Sequence, residues 1–109
     1  MTKRKILQRA ERIPVATKID FRRLGSAEWR SGTTVNISRT GVLFQAEELL
    51  PVYTPLEMKL EIPPQVMDEE SGRVLTKGYI VRTVLPPPGE GMPALAATIW
   101  ESKRIEGFS

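Results

Sequence analysis

The sequence predicts a single all-β domain, an antiparallel barrel or sandwich built from short strands. Two observations support this fold class: apolar and polar residues alternate in several short runs, and Gly, Pro and Ser residues separate those runs. The chain has 109 residues, the length of one domain with a modest core. No helical periodicity of useful length occurs before Trp100, so only residues 100–105 are expected to form a helix, a short one at the C-terminus.

The clearest strand is the segment 56–62, in which every second residue is apolar and the residues between are charged. The segment 78–85 is rich in β-branched residues, which is typical of buried strands. The final strand is a weaker prediction, because its alanines also suit a helix. The predicted strands cover residues 15–22, 33–37, 41–44, 56–62, 78–85 and 95–99.

Turn-forming residues mark the ends of these strands. A loop is expected over residues 63–72, and its acidic centre, residues 68–70, is interpreted as a solvated loop tip and not as a metal site. Three prolines end the strand at 78–85, because proline cannot donate a ladder hydrogen bond. Residues 22–23, two arginines, are assigned to a solvated strand face, and Trp29 is assigned to packing in the core or at its rim.

The composition excludes several kinds of site. The chain contains no cysteine and no histidine, so it can form neither a disulfide nor a thiolate or imidazole metal site. Ser38 therefore has no histidine as a base, and no paired carboxylates suggest acid–base catalysis. We expect no enzymatic activity, no metal and no cofactor. No apolar run approaches the roughly 20 residues of a membrane span, so we expect a cytoplasmic protein without one.

Positive charge is concentrated near the N-terminus. Up to Arg30 the chain has nine Lys/Arg and three acidic residues, whereas the remainder has seven basic and ten acidic residues. This asymmetry suggests an anionic partner: a nucleotide, a nucleic acid, a membrane surface or an acidic protein. We interpret residues 1–13 as a flexible basic arm and residues 14–109 as the barrel domain. The arm lacks interleaved aromatic residues, which argues against a nucleic-acid partner.

The most informative segment, residues 36–41, reads Asn-Ile-Ser-Arg-Thr-Gly and joins two predicted strands. By itself it predicts a tight turn, in which Asn36 and Ser38 bond local amides and Gly41 supplies a positive φ. A basic segment ending in Arg-Ile-Pro lies upstream, and a strand reading Gly-Tyr-Ile-Val-Arg lies downstream.

This order of motifs resembles the PilZ domain family over nearly the whole chain. The family pattern is Arg-x-x-x-Arg, then Asp/Asn-x-Ser-x-x-Gly, then a strand reading Gly-x-Val-Val-Arg, a small-residue strand and a C-terminal helix. The residues that match are Arg12, Asn36, Ser38, Gly41, Gly78 and Arg82. The resemblance implies a six-stranded antiparallel PilZ-like β-barrel that binds cyclic di-GMP on its outer face. It also implies a receptor or adaptor of bacterial second-messenger signalling that has a protein partner.

The chemistry of the nucleotide suits these residues. Arginine forks match phosphate oxygens or the O6/N7 edge of guanine bidentately, and Asn36 can hydrogen-bond a guanine edge. Some PilZ domains place a guanine-stacking aromatic residue near the position of Trp100. The resemblance implies that the ligand-binding residues are Gln8, Arg9, Arg12, Asn36, Ser38, Gly41 and Trp100.

The sequence departs from the family pattern at its first arginine, because the residue four positions before Arg12 is Gln8. Some PilZ domains that lack the arginine motif do not bind the nucleotide and act through protein contacts. A PilZ-like protein–protein interaction module is therefore the alternative to a cyclic di-GMP receptor. A basic nucleic-acid-binding barrel is a third, weaker hypothesis.

Overall fold

The computed structural model describes residues 11–67 and 72–105. These residues form eight strands and one helical turn, α1 (Pro64–Met67). The strands are β1 (Ile13–Pro14), β2 (Lys18–Arg23), β3 (Arg30–Ile37), β4 (Gly41–Gln45), β5 (Pro55–Ile62), β6 (Gly72–Val84), β7 (Ala94–Thr98) and β8 (Glu101–Arg104).

Six of these strands close into an antiparallel barrel. The strand order is β3-β2-β5-β6-β7-β4, and β4 pairs back with β3 to complete the circuit. The predicted six-stranded barrel is thereby confirmed. Closure also removes the free sheet edges that an open sheet of this size would expose. The two short strands lie outside the circuit, β1 beside β3 and β8 beside β6.

The barrel interior is filled by apolar side chains from all six strands. The burial of these side chains follows from the period-2 alternation of the sequence, because successive side chains of a strand point to opposite faces. In β5 the four apolar side chains are buried, and the three charged side chains between them face outward. At the centre the rings of Phe21 and Phe44 pack with centroids 5.0 Å apart. Two threonine hydroxyls are buried in the barrel, and both are hydrogen-bonded. The hydroxyl of Thr34 donates to the carbonyl of Val15 (2.6 Å) and accepts from the amide of Thr17 (2.9 Å), and that of Thr76 donates to the carbonyl of Met58 (3.4 Å).

The predicted short C-terminal helix is wrong, because residues 101–104 form β8. The cause is the length of β6: β7 pairs with it only between Ile80 and Val84, which leaves the earlier half of that edge uncovered. Residues 101–104 pair with that half, and the amide of Ile105 donates to the carbonyl of Arg73 (3.0 Å). A helix there would leave the β6 backbone groups without these partners.

The outer face of β2 and β5 also differs from the prediction. Arg22, assigned to a solvated face, is half-buried and forms an ion pair with Glu57 (Nη2–Oε1 2.7 Å). Trp29 lies half-buried on the outer surface, between the guanidinium of Arg22 (4.4 Å from the ring centroid) and the ammonium of Lys59 (4.2 Å). Arg23 is exposed, as expected.

Candidate ligand-binding cleft

A cleft of about 220 Å³ lies on the outer face of the barrel, across β3, β4, β7 and β6. It brings together four of the residues that the sequence singled out: Arg12, Asn36, Ser38 and Gly41. Its lining also includes Leu43, Val81, Arg82, Ala96 and Thr98. No acidic side chain is present among the described residues of the lining. The cleft therefore favours an anionic ligand.

Ser38 organises the turn between β3 and β4. Its amide donates to the carbonyl of Gly41 (2.8 Å), and its hydroxyl oxygen accepts from the amides of Thr40 (3.2 Å) and Gly41 (3.1 Å). The hydroxyl also donates to the Gly41 carbonyl (3.4 Å), and the residue is only 5% exposed. The structural work of Ser38 is thus to hold the turn rigid, since its hydrogen-bonding capacity is used inside the turn.

Gly41 lies at a close contact between two strands and not in the conformation that the sequence suggested. The expected positive φ at this position is wrong, because the described glycines with positive φ are Gly25, Gly89 and Gly91. Instead, a Cβ at Gly41 would lie 3.1 Å from the carbonyl oxygen of Ala97. The absence of a side chain therefore lets β4 and β7 approach closely, and it keeps the cleft open above the turn.

Arg12 reaches the cleft through the short strand β1. Ile13 pairs with Ile37 and Pro14 pairs with Asn36, so the residue before β1 is directed to the turn that begins at Ser38. Ile13, which we placed at the end of the basic arm, is thus already part of the sheet. The Arg12 side chain is exposed and has no ion-pair or hydrogen-bond partner among residues 11–67 and 72–105.

Two β-bulges direct polar side chains into the cleft. In β3 the register with β4 shifts between Thr34 and Asn36, and the extra residue, Val35, is 39% exposed. In β6 the register with β7 shifts between Ile80 and Arg82, and the extra residue, Val81, is 41% exposed. Because a bulge shifts the alternation by one residue, the residue that follows it changes face. Asn36 and Arg82 both face the cleft as a result.

Arg82 lines the cleft, although the sequence predicts no ligand contact for it. From the sequence it is only a match to the family strand. In β6 the side chains of Val74, Thr76 and Ile80 are buried, so strict alternation would place residue 82 in the core as well. A charged side chain at a predicted core position was the available signal, since such a side chain is rarely buried without a partner.

A family model for the PilZ domain matches residues 6–89, which cover the turn, both bulges and Arg12. The chain belongs to the PilZ domain family. Among solved structures it is similar to the Bacillus subtilis inhibitor of motility MotI/DgrA, with a TM-score of 0.69 and 17% sequence identity. That match covers 93% of this chain and 48% of the other, so the chain spans about half the length of that protein. No curated protein matches the chain.

The glycine of the PilZ strand signature has a clear steric cause in this structure. A Cβ at Gly78 would overlap the carbonyl group of Thr98, which lies against β6 at the end of β7. The Thr98 hydroxyl oxygen also accepts from the amide of Tyr79 (3.1 Å). Thr98, held by this close contact, is one of the residues that line the cleft.

Arg39, inside the PilZ turn motif, connects the turn to the rest of the barrel. Its Nε donates to the carbonyl of Val66 in α1 (3.1 Å), and Val66 itself is buried in the core. The turn is therefore held from within by Ser38 and from outside by Arg39.

Two of the predicted ligand residues, Gln8 and Arg9, lie outside the described residues. Trp100 is half-exposed but is not part of the cleft lining; its ring contacts Tyr79 (5.6 Å between centroids), which in turn contacts Tyr53 (6.1 Å). These three rings form an exposed aromatic cluster at the end of β7.

Other kinds of site find no support in the part of the chain that the structure describes. No group of three or more Asp or Glu residues there could hold a metal ion. Within the same residues, no helix has the length and apolar character needed to cross a bilayer.

Proposed function

We propose that this PilZ domain is a receptor for cyclic di-GMP and acts as an adaptor in bacterial second-messenger signalling. The observation that carries the proposal is a single cleft that contains Arg12, Asn36 and the Ser38–Gly41 turn and whose described lining has no acidic side chain. Cyclic di-GMP offers two phosphates and two guanines. Arginine forks bind phosphate oxygens or the O6/N7 edge of guanine bidentately, and an asparagine side chain can hydrogen-bond a guanine edge.

Each part of the cleft has a role in this proposal. Arg12 forms charge-assisted hydrogen bonds to a phosphate or a guanine edge, and its side chain has no described protein partner to give up. Asn36 hydrogen-bonds a guanine edge. The turn, held by Ser38, lets the backbone approach the ligand at Gly41, where no side chain intervenes.

The size of the cleft bears on how the ligand would be held. At about 220 Å³ it is smaller than the roughly 300–1,000 Å³ of pockets that enclose a small molecule. A cyclic dinucleotide would therefore remain open to solvent on its outward side. We propose that the residues just before Arg12, including Gln8 and Arg9, cover that side when the ligand is bound.

Calorimetric titration with cyclic di-GMP tests the proposal directly. We expect a dissociation constant in the micromolar range, weaker than for a PilZ domain with both motif arginines, because Gln8 carries no charge. The absence of a heat signal up to about 1 mM ligand, where the binding free energy would be only about −4 kcal/mol, would refute the receptor function.

The alternative function is a PilZ protein-interaction module that does not bind the nucleotide. Two observations favour it: Gln8 stands in place of the first motif arginine, and Tyr53, Tyr79 and Trp100 form an exposed aromatic cluster. Exposed aromatic residues are enriched at protein interfaces. The absence of nucleotide binding in calorimetry would support this alternative.

A further inference from the structure

The strand β8 has one edge that no other strand of the described residues covers. Its four residues, Glu101–Arg104, pair with β6 along the opposite edge, and all four are exposed. The N–H and C=O groups along an uncovered strand edge can pair with a strand of another chain. The other strand outside the barrel circuit, β1, is only two residues long and contains Pro14, which has no N–H to donate. Within the described part of the chain, β8 is therefore the strand best suited to accept a further strand.

The charges of β8 favour a second copy of β8 as that further strand. Glu101 and Lys103 are two positions apart on the strand, so they lie on the same face of the sheet. Neither side chain forms an ion pair within residues 11–67 and 72–105. If a second β8 runs antiparallel to the first with Ser102 opposite itself, each Glu101 lies opposite Lys103 of the other copy. The symmetry thus creates two pairs of opposite charge at once, and such cross-strand pairs stabilise a sheet.

The two-fold symmetry of such a pair also limits its register. In a continuous sheet, residues that lie opposite each other point to the same face, and successive side chains alternate between the faces. Two antiparallel copies related by a two-fold axis must therefore meet with one residue opposite itself. A centre at Glu101, Lys103 or Arg104 would place two like charges directly opposite each other, which is destabilising. Ser102, the uncharged residue of β8, is thus the favoured centre.

Charged side chains on an edge strand often protect it from pairing with other chains. That protection requires charges that stay unfavourably placed in every register. In β8 they are unfavourably placed when a like-charged residue is the centre, whereas the register centred on Ser102 pairs each acid with a base. The charges of this edge therefore select one partner strand and one register.

The geometry points to β8 as the interface of a homodimer, in which two copies join edge to edge about a two-fold axis at Ser102. The sheet then continues from β5, β6 and β8 of one copy into β8, β6 and β5 of the other. None of the four β8 residues belongs to the described lining of the cleft. The homodimer therefore does not rest on the proposed function.

Sedimentation equilibrium of the full chain at concentrations up to about 1 mM tests this interface. We expect a reversible monomer–dimer equilibrium, because the shared strands are short and the interface is small. Glu101→Lys places two basic residues opposite each other, and Lys103→Glu places two acidic residues opposite each other, in both cases twice by symmetry. Each variant should raise the dimer dissociation constant about tenfold or more. Glu90→Lys is the matched control, because it makes the same charge change as Glu101→Lys at an exposed loop residue, and it should leave the dissociation constant within about twofold.

An equimolar mixture of Glu101→Lys and Lys103→Glu separates a broken interface from a broken fold. In the mixed dimer every basic residue at these positions lies opposite an acidic one, so the mixture should dimerise about as tightly as the wild type, although neither variant does so alone. The inference would be overturned by a wild-type chain that stays monomeric up to about 1 mM. Single variants that dimerise as the wild type does, or a mixture that stays monomeric, would overturn it as well. Equal weakening by Glu101→Lys and Glu90→Lys would also overturn it, since the effect would then be one of net charge.

Discussion

Removing Arg12 is expected to abolish most of the ligand affinity without changing the stability of the barrel. A charge-assisted hydrogen bond contributes about 1.5–3 kcal/mol, which corresponds to roughly a 10- to 150-fold weaker dissociation constant for Arg12→Ala. The side chain is exposed and has no described protein partner, so the free energy of unfolding should change by less than about 0.5 kcal/mol.

Arg22→Ala is expected to have the opposite effect: it should lower the stability of the barrel and leave the ligand affinity unchanged. Arg22 forms two close contacts to the same carboxylate oxygen of Glu57 (2.7 and 2.8 Å), and the two side chains are only 29% and 16% exposed. It also stacks on Trp29 at 4.4 Å. The ion pair and the stacking together contribute about 1–2 kcal/mol to stability. Arg22→Ala should therefore lower the melting temperature by roughly 4–8 °C per kcal/mol, and it should leave the affinity unchanged.

Calorimetry and thermal unfolding of Arg12→Ala, Arg22→Ala and Arg23→Ala separate the two effects. Arg23 is exposed on the same strand as Arg22, and Arg23→Ala removes the same charge. This variant should therefore resemble the wild type in both measurements. The assignment of Arg12 to the ligand would be refuted if Arg12→Ala and Arg22→Ala, both folded at the assay temperature, bound the nucleotide equally well.

Three further variants test the turn, the close contact of Gly78 with Thr98, and the arm. Ser38→Ala should lower both the melting temperature and the affinity, because two turn amides lose their acceptor, a loss of about 1–2 kcal/mol in stability. An unchanged affinity would show that the turn does not position the ligand. Gly78→Ala should destabilise the barrel more than Gly41→Ala, because its Cβ would overlap the backbone of Thr98. The reverse order in thermal unfolding would contradict this close contact between Gly78 and Thr98. Gln8→Arg should strengthen binding by about 1 kcal/mol in calorimetry at low salt, and clearly more than Thr2→Arg; equal gains would mean that Gln8 does not take the place of the motif arginine.

The residue pattern alone located the six barrel strands and the turn, although it began the strand β6 at residue 78 and the structure begins it at Gly72. The alternation in β5 specifies which face is buried, because a strand with apolar side chains on one face has a single favourable orientation toward the core. The Asn36, Ser38 and Gly41 spacing predicted a tight turn because the hydrogen bonds of Ser38 span only three residues. These features depend on neighbours in the chain, and such neighbours are visible in a sequence.

Tertiary structure alone decided the features that depend on distant pairing. Residues 101–104 form a strand because β6 is longer than β7, and the carbonyl of Ala97 leaves little room for a side chain at Gly41. Arg82 faces the cleft because one residue of β6 has no counterpart in β7, and an extra residue can be recognised only when both strands are aligned. The sequence by itself therefore determined the fold class and four residues of the cleft, Arg12, Asn36, Ser38 and Gly41. The orientation of Asn36 and Arg82 toward the cleft depends on register, which is a property of two strands and not of either one.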